Sequence, residues 1–114
     1  MCNPPSFYFF AGEQSIMKES QFQAELIQDL KRRFPGCMVM KNDANYIQGV
    51  PDLIVLYRDK WALLEVKRAK DSPKRSLQDY YIDWANVNSF GQFICPENKE
   101  EVLNELERSF RTHR

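Results

Sequence analysis

Hydrophobic residues follow two different patterns along this chain, a helical spacing and short continuous apolar runs. Over residues 20–34 the apolar positions recur every three or four residues, which is the spacing of one face of an α-helix. These positions are Phe22, Leu26, Ile27, Leu30 and Phe34. Ser20 followed by Gln23 fits a capping box at the start of this helix, and Pro35-Gly36 predicts its end. The first regular element is therefore predicted to be an amphipathic helix.

Two apolar runs separated by a short charged break follow in the stretch GVPDLIVLYRDKWALLEVKRAK, residues 49–70. The runs cover residues 52–57 and 61–67, and each has the length and the apolar and aromatic content of a buried strand. The break at residues 58–60 is short enough for a tight turn. We therefore predict an antiparallel β-hairpin, preceded by a short strand over residues 37–41.

The remainder of the chain predicts a helix, a strand and a closing helix. The helix covers residues 77–88, and the strand over residues 91–96 is ended by Pro96. One face of the first of these helices contains Leu77, Tyr81, Trp84 and Ala85. The closing helix, residues 97–110, would bury Val102, Leu103, Leu106 and Phe110. The order αβββαβα predicts an α/β protein with a mixed central sheet flanked by helices.

The overall composition bounds the class of protein. With 114 residues, 43% hydrophobic and 28% charged, the chain has the balance of one globular domain. We assign that domain to residues 17–114 and treat residues 1–16 as an N-terminal arm or extension. The net charge is zero, so any affinity for nucleic acid must rest on local patches. Three cysteines without a CxxC pair predict reduced thiols in a cytoplasmic protein, and no apolar run approaches the roughly 18 residues of a membrane span.

Three charged residues stand at the ends of the two hairpin runs. Asp52 opens the first run, and Glu65 and Lys67 close the second. Because side chains alternate along a strand, Glu65 and Lys67 project to one face, and hairpin pairing brings Asp52 beside them. Two adjacent carboxylates repel each other unless a cation lies between them, and Mg²⁺ commonly binds one or two carboxylates with water and phosphate. With the Val66 carbonyl as a further ligand and Lys67 near the attacked phosphate, the pattern predicts phosphodiester hydrolysis.

These residues resemble the motif of a known nuclease superfamily. Pro51-Asp52 and Glu65-x-Lys67, on adjacent strands of an αβββαβ order, are similar to the PD-(D/E)XK nucleases. Among these the chain resembles the VRR-NUC and Holliday-junction-resolvase-like phage nucleases over residues 17–106. The resemblance implies a restriction-endonuclease-like fold and a phage-type endonuclease that uses Mg²⁺ or Mn²⁺ to cut DNA, with branched or structured DNA as the expected substrate. It also implies a homodimer, as in relatives of resolvase type.

The resemblance implies roles for residues on the two flanking helices. Gln78 matches a glutamine that many relatives carry after the Glu-x-Lys strand, where it would contact a phosphate or the Lys67 network. The first helix of the family usually supplies a glutamate. Helical spacing places Gln23 at that position and Glu19 one turn earlier on the same side. Since glutamine brings no negative charge, we expect Gln23 or Glu19 to complete the site.

Basic and aromatic residues surround the motif in sequence. Positive charges next to a metal site would attract a phosphate backbone through salt-sensitive contacts. The candidates are Lys41, Arg68, Lys70, Lys74 and Arg75. Tyr46, in the loop before the motif, can stack on an unpaired base.

Each feature also has an ordinary explanation. Asp52 after Pro51 is a common way to begin a strand, and Glu65 with Lys67 is a common surface charge ladder. Their combination at opposing strand ends favours the site. Because Gln23 replaces the helix acid, a DNA-binding module of the same fold that has lost cleavage is the main alternative, and a protein-interaction domain is the third. The pattern is compatible with DNA or RNA and with one or two metal ions.

Overall fold

The computed structural model describes residues 18–43, 45–73 and 76–111. Within these ranges, helices and strands follow one another in the order predicted from the sequence. They are α1 (Glu19–Arg33), β1 (Met38–Lys41), β2 (Leu53–Tyr57), β3 (Lys60–Val66), α2 (Ser76–Asn88), β4 (Gly91–Ile94) and α3 (Lys99–Arg111). The predicted α/β class is confirmed, whereas the predicted arm at residues 1–16 lies outside the described residues. None of the described helices has the length and apolar character needed to cross a membrane.

The four described strands form one mixed sheet in the order β1-β2-β3-β4. β2 pairs antiparallel with both β1 and β3, and β4 joins β3 in parallel after the α2 crossover. In the hairpin, Leu53 lies opposite Leu64 and Tyr57 lies opposite Lys60. The start of β2 therefore meets the end of β3, as the predicted hairpin requires.

One face of the sheet packs against α1 and α3 to form the core. Alternate residues of the hairpin strands, Leu53, Val55, Leu64 and Val66, are buried on this face. The helices contribute Phe22, Leu26, Leu30, Val102, Leu103, Leu106 and Phe110 to the same cluster. Burying one such large apolar side chain stabilises a fold by about 1.5–3 kcal/mol. The predicted buried faces of the first and last helices agree with this core, which holds the hairpin in place.

α1 begins earlier than the sequence pattern predicts. The helix starts at Glu19 with Lys18 as N-cap, and no side chain caps this end. Ser20 lies inside the first turn, so the predicted capping box of Ser20 with Gln23 is wrong. The Glu19 carboxylate in the first turn complements the positive end of the helix dipole, which is a physical reason for the earlier start.

α2 packs against β3 and β4, and its inward face differs from the prediction. The predicted face contained Leu77, Tyr81, Trp84 and Ala85. Of these, Ala85 is buried, together with Ile82. Leu77 is 46% exposed and Trp84 is 48% exposed. The prediction is therefore wrong for Leu77 and Trp84, whereas Tyr81 is half-buried.

Close approach between α2 and β4 explains this difference. A Cβ atom added at Gly91 would lie 2.6 Å from the Cβ of Ala85, so the helix and the strand meet through two small residues. A large side chain at this contact would push the helix off the sheet. The aromatic residues lie at the rim instead, where the rings of Trp84 and Trp61 are 5.6 Å apart between centroids.

Candidate active site

The open end of the β2–β3 hairpin holds two acids, each of which accepts a hydrogen bond from a backbone N–H on the opposite side of the hairpin. The backbone N–H of Asp52 donates a hydrogen bond to Oε1 of Glu65 at 3.1 Å. In return, the N–H of Val66 donates to Oδ2 of Asp52 at 3.0 Å. Each carboxylate is thereby fixed by the strand that carries the other one. The pairing of the hairpin therefore also fixes the positions of the two acids.

Gln78 and Lys67 extend this pair into a connected set of four polar side chains. Nε2 of Gln78 donates to Oε2 of Glu65 at 2.7 Å, and Nζ of Lys67 donates to Oε1 of Gln78 at 2.9 Å. The same ammonium lies 3.8 Å from Oε2 of Glu65 and donates to the Pro73 carbonyl at 2.9 Å. Since an ammonium only donates and a carboxylate only accepts, a single orientation of the Gln78 amide satisfies both neighbours.

Burial changes the protonation of the hairpin acids. Glu65 is only 4% exposed, and desolvation, reinforced by the charge of Asp52, raises its pKa to about 7. Desolvation also raises the pKa of Asp52, against the opposing hydrogen bond from Val66 and the charge of Lys67. The single ammonium of Lys67 therefore does not neutralise the negative charge of both carboxylates. A divalent cation would favour the ionised form of both acids, because opposite charge lowers a carboxyl pKa.

The oxygen atoms at this place suit a hard divalent cation. The described residues contain no group of three or more His, Cys, Asp or Glu side chains arranged to hold a metal. Mg²⁺, however, is often bound by one or two carboxylates and keeps several of its waters, which matches the pair of Asp52 and Glu65. Each carboxylate oxygen can accept more than one interaction, so the hydrogen bonds within the site leave lone pairs for an ion. The residues therefore fit Mg²⁺ or Mn²⁺ with few protein ligands.

α1 brings a third acid into electrostatic range. Partial burial and the charge of Asp52 raise the pKa of Glu19, while Lys67 and Arg68 oppose this shift. The charge of Glu19 in turn contributes to the raised pKa of Glu65. Gln23, one turn further along α1, has a half-buried side chain. Of the two helix candidates, Glu19 is the one linked by charge to the hairpin acids.

An open cleft gives access to the acids. It has a volume of about 650 Å³, and its walls come from the loop between β1 and β2 and from the start of α2. Asp52, Glu65 and Gln78 line it together with Tyr46. The Tyr46 side chain is 84% exposed, so its ring is accessible at the rim, as the predicted stacking role requires.

Two of the predicted basic residues lie at strand ends near the acids in the sheet. Lys41 is exposed at the end of β1, where it is paired with the residue that follows Asp52. Arg68 is exposed just beyond β3, and its charge acts on Glu19. Neither residue is among those that line the cleft, so contact with a phosphate backbone stays a prediction for both.

The other predicted basic residues stand further along the β3–α2 connection. Lys70 is exposed, and it lies toward Glu97, whose pKa is lowered by its own backbone N–H and by that of Lys70. Lys74 and Arg75 lie outside the described residues. The nucleic-acid-binding role of the basic set therefore stays a prediction.

Asn42 positions Asp52, a role that sequence reasoning missed. Its Nδ2 donates to the Pro51 carbonyl at 2.7 Å, and its backbone N–H donates to the Asp52 carbonyl at 2.8 Å. These bonds fix the backbone on both sides of the acid. A polar residue directly after an apolar strand was the available signal, but its meaning depends on the pairing of β1 with β2.

Comparisons with known proteins support the fold. A scan against protein-family models and a search of curated proteins found no match. A search of solved structures found a chain described as "VRR_NUC domain", with a TM-score of 0.50 and 19% sequence identity, covering 80% of this chain and 96% of that chain. The protein therefore shares the fold of this VRR_NUC domain, and the resemblance predicted from the sequence is confirmed at the level of the fold.

Proposed function

We propose that this protein is a divalent-metal-dependent nuclease that hydrolyses DNA phosphodiester bonds. The observation that carries the proposal is the connected set of Asp52, Glu65, Gln78 and Lys67 beside one open cleft. Buried carboxyl groups with raised pKa values in a cleft are typical of functional sites. The similarity in fold to the VRR_NUC domain structure adds support.

Asp52 and Glu65 would hold the Mg²⁺ or Mn²⁺ ion, with the Val66 carbonyl as a third ligand. The Val66 N–H points to Asp52. In an antiparallel ladder the N–H and C=O of one residue face the same neighbouring strand, which supports the role of its carbonyl. The ion would supply positive charge for the phosphate and a lowered pKa for a coordinated water.

Lys67 would stabilise the negative charge that develops on the attacked phosphate. Its ammonium has three donors, of which Gln78 and Pro73 accept two, leaving one for a water or a phosphate oxygen. The side chain is only 13% exposed, so its charge acts where screening by water is weak. Gln78 would serve as a positioning residue because it holds Lys67 and Glu65 together, and Glu19 or Gln23 would complete the site from α1.

DNA with unpaired or branched regions is the substrate that we favour. The exposed cations Lys41 and Arg68 would bring positive charge to the acids, and Lys70, Lys74 and Arg75 would extend this basic rim. The exposed ring of Tyr46 at the cleft offers a surface on which an unpaired base can stack. Junctions and flaps present such bases, whereas a continuous duplex keeps them stacked within the helix.

A cleavage panel tests this function. A labelled four-way junction, a flap, a linear duplex and an RNA strand would each be incubated with Mg²⁺, Mn²⁺ or EDTA. We expect metal-dependent nicking of DNA that is lost in Glu65→Gln. Glu101→Gln, which removes the same charge from an exposed position on α3, should cleave like the wild type. Undiminished cleavage in EDTA or by Glu65→Gln would contradict the proposal.

A DNA-binding module that has lost cleavage is the second candidate function. Two observations favour it: Gln23 stands at the expected helix-acid position, and the described residues lack a three-acid cluster. The same panel separates the candidates. Retarded but uncut DNA in Mn²⁺ would support the binding module, and cut DNA would support the nuclease.

We also propose that the protein acts as a homodimer through the uncovered part of the sheet. α2 packs over β3 and β4, while paired residues of β1 and β2 expose Met38, Met40 and Leu56 at 57%, 42% and 37%. This apolar patch carries no charge that would attract a nucleic acid. In a two-fold dimer, however, the patches of the two subunits can pack against each other. Light scattering should give the mass of a dimer for the wild type and of a monomer for Met40→Glu. A wild-type monomer at micromolar concentration, with or without DNA, would count against the dimer.

A further inference from the structure

A second cleft lies at the closed end of the hairpin. This closed-end cleft has a volume of about 460 Å³ and is formed by the β2–β3 turn and the C-terminal ends of α1 and α3. It shares no lining residue with the cleft beside the acids. Each strand residue advances the chain by about 3.3 Å, so Asp52 and Arg58 lie about 20 Å apart along β2. The closed-end cleft is therefore a separate place in the fold.

Aromatic rings form the floor of the closed-end cleft. The ring centroid of Phe34 lies 5.4 Å from that of Tyr57 and 5.2 Å from that of Phe110. The centroids of Tyr57 and Phe110 are 5.7 Å apart. The guanidinium of Arg58 lies 4.9 Å from the centroid of the Tyr57 ring. This contact holds a cation over an apolar surface at the cleft, where water hydrates it less than in the open.

Positive charge exceeds negative charge in this cleft. Its charged lining residues are the cations Arg33, Arg58, Lys60 and Arg111 and the carboxylates Asp59 and Glu107. The excess of two positive charges stands out in a chain whose net charge is zero. Two of the cations share one carboxylate as their ion-pair partner. The Glu107 oxygens lie 3.3 Å from Nε of Arg33 and 3.1 Å from Nη1 of Arg111.

Arg33 also has a donor that the described residues leave unused. Its Nη1 is buried and finds no hydrogen-bond partner among them, although Nη2 donates to Asn104 at 2.7 Å. Leaving a buried donor unpaired is unfavourable. A ligand with several acceptor oxygens in the cleft can offset that cost after a small rotation of the guanidinium.

Arg58 occupies a backbone conformation that favours glycine. Its φ is 60°, and no other non-glycine residue in the described ranges has a positive φ. Glycine is the usual residue at such a position of a two-residue hairpin turn, and a side chain there costs about 1–2 kcal/mol. Residues held in sparsely populated conformations cluster at functional sites. Here the unfavourable conformation places the Arg58 guanidinium at the closed-end cleft.

We propose that the closed-end cleft binds the phosphate group of a nucleotide or of a nucleic-acid end. Guanidinium forks match the oxygen geometry of phosphate, and the excess of two positive charges matches a phosphate monoester. The volume leaves room for the sugar that carries the phosphate. The ring of Tyr57 is engaged by Arg58 and Phe110, so the phosphate and not a stacked base is the recognised group.

Thermal unfolding with phosphate ligands tests this site. The midpoint would be measured at constant ionic strength in EDTA with inorganic phosphate, a nucleoside monophosphate, and a short DNA strand with or without a 5′-phosphate. We expect at least one phosphate monoester to raise the midpoint of the wild type, and Arg58→Gly to weaken its apparent affinity at least tenfold. Arg32→Ala, which removes a 70% exposed cation of α1 outside this cleft, should keep the response.

Arg58→Gly also separates ligand binding from fold stability. Glycine adopts a φ of 60° without steric cost, so the ligand-free variant should unfold at the same temperature as the wild type or higher. Responses to phosphate and mononucleotide identify a small-ligand site, and a response limited to the 5′-phosphorylated strand identifies a nucleic-acid end; either supports the proposal. Equal affinities in the wild type and Arg58→Gly, or no response of the wild type to any of these ligands, would overturn it.

Discussion

The two ends of the β2–β3 hairpin carry opposite chemistry on one scaffold. At the open end, the half-buried Asp52 and the buried Glu65 have carboxyl groups with raised pKa values and one neighbouring ammonium. At the closed end, arginines and a lysine outnumber the carboxylates over an aromatic floor. Both ends are anchored by the same core, yet each is left with an excess of one sign of charge. That difference supports the two proposals, a cation at the open end and an anion at the closed end.

Of the changes considered, neutralising Glu65 should have the largest effect on cleavage. Glu65→Gln keeps the shape of the side chain but removes a metal ligand, so we expect the kcat/KM of metal-dependent cleavage to fall by about 100- to 1,000-fold. Steady-state cleavage of the best DNA of the panel gives this ratio. The phosphate response of the closed-end cleft should stay as in the wild type. Loss of both functions in this variant would show that the two ends are not independent.

An added methyl group at Gly49, in the loop that forms one wall of the open cleft, should destabilise the fold. A Cβ at Gly49 would lie 2.5 Å from the Cβ of Leu77, whereas a Cβ at Gly36 meets nothing within 4 Å, and both residues have a positive φ. Gly49→Ala should therefore lower the free energy of unfolding by about 1–3 kcal/mol more than Gly36→Ala. Urea denaturation of the two variants measures the difference. Equal losses would show that the loop does not pack on α2 in this way.

Removing Gln78 should have a smaller effect on cleavage than removing Glu65. Gln78→Ala leaves both proposed carboxylate ligands but frees Lys67 and Glu65 from their shared partner, so we expect a loss of about 10- to 100-fold in kcat. The lost hydrogen bond to Glu65 should also move the acidic limb of the pH–rate profile to higher pH. An unchanged profile would assign Gln78 a purely structural role.

The acids of the open end should make the metal-free protein less stable as the pH rises. The folded-state pKa of Glu65 is about 7 and its ordinary value is 4.5, so between these values the folded state binds more protons than the unfolded state. The free energy of unfolding should therefore fall across this window, by an amount on the order of 1 kcal/mol. Urea denaturation in EDTA at several pH values measures the slope.

Two comparisons isolate the source of that slope. Glu65→Gln should flatten it, because the titrating group is gone, and Mg²⁺ should restore stability above pH 7 in the wild type. A slope equally steep in Glu65→Gln would assign the pH dependence to other residues.

Local patterns in the sequence predicted the hairpin and its acids. Two apolar runs joined by a short break are enough to place Asp52 opposite the end of β3, because the pairing partner follows directly in the chain. The inward face of α2 was mispredicted because it depends on contact between Ala85 and Gly91, which periodicity cannot show. Glu19 and Gln23 could not be distinguished by spacing alone, since their difference lies in the charge environment at the hairpin.

The closed-end cleft was missed for a related reason. Arg33, Arg58 and Arg111 come from three elements that are distant in sequence, and each alone has an ordinary explanation as a helix-end or turn residue. Only the packing of α1 and α3 on the sheet brings them together. The one local signal was an arginine in a tight hairpin turn, where glycine or asparagine is common.

Calorimetric titration of Mn²⁺ tests the carboxylate site most directly. The titration would use the wild type, Asp52→Asn, Glu65→Gln and Arg58→Gly at pH 8, where the Glu65 carboxyl, with its pKa of about 7, is mainly ionised. We predict saturable binding by the wild type and by Arg58→Gly, and loss of that binding in both acid variants. Equal Mn²⁺ binding by the wild type and the acid variants, or no binding by the wild type, would contradict a metal site at the open end of the hairpin.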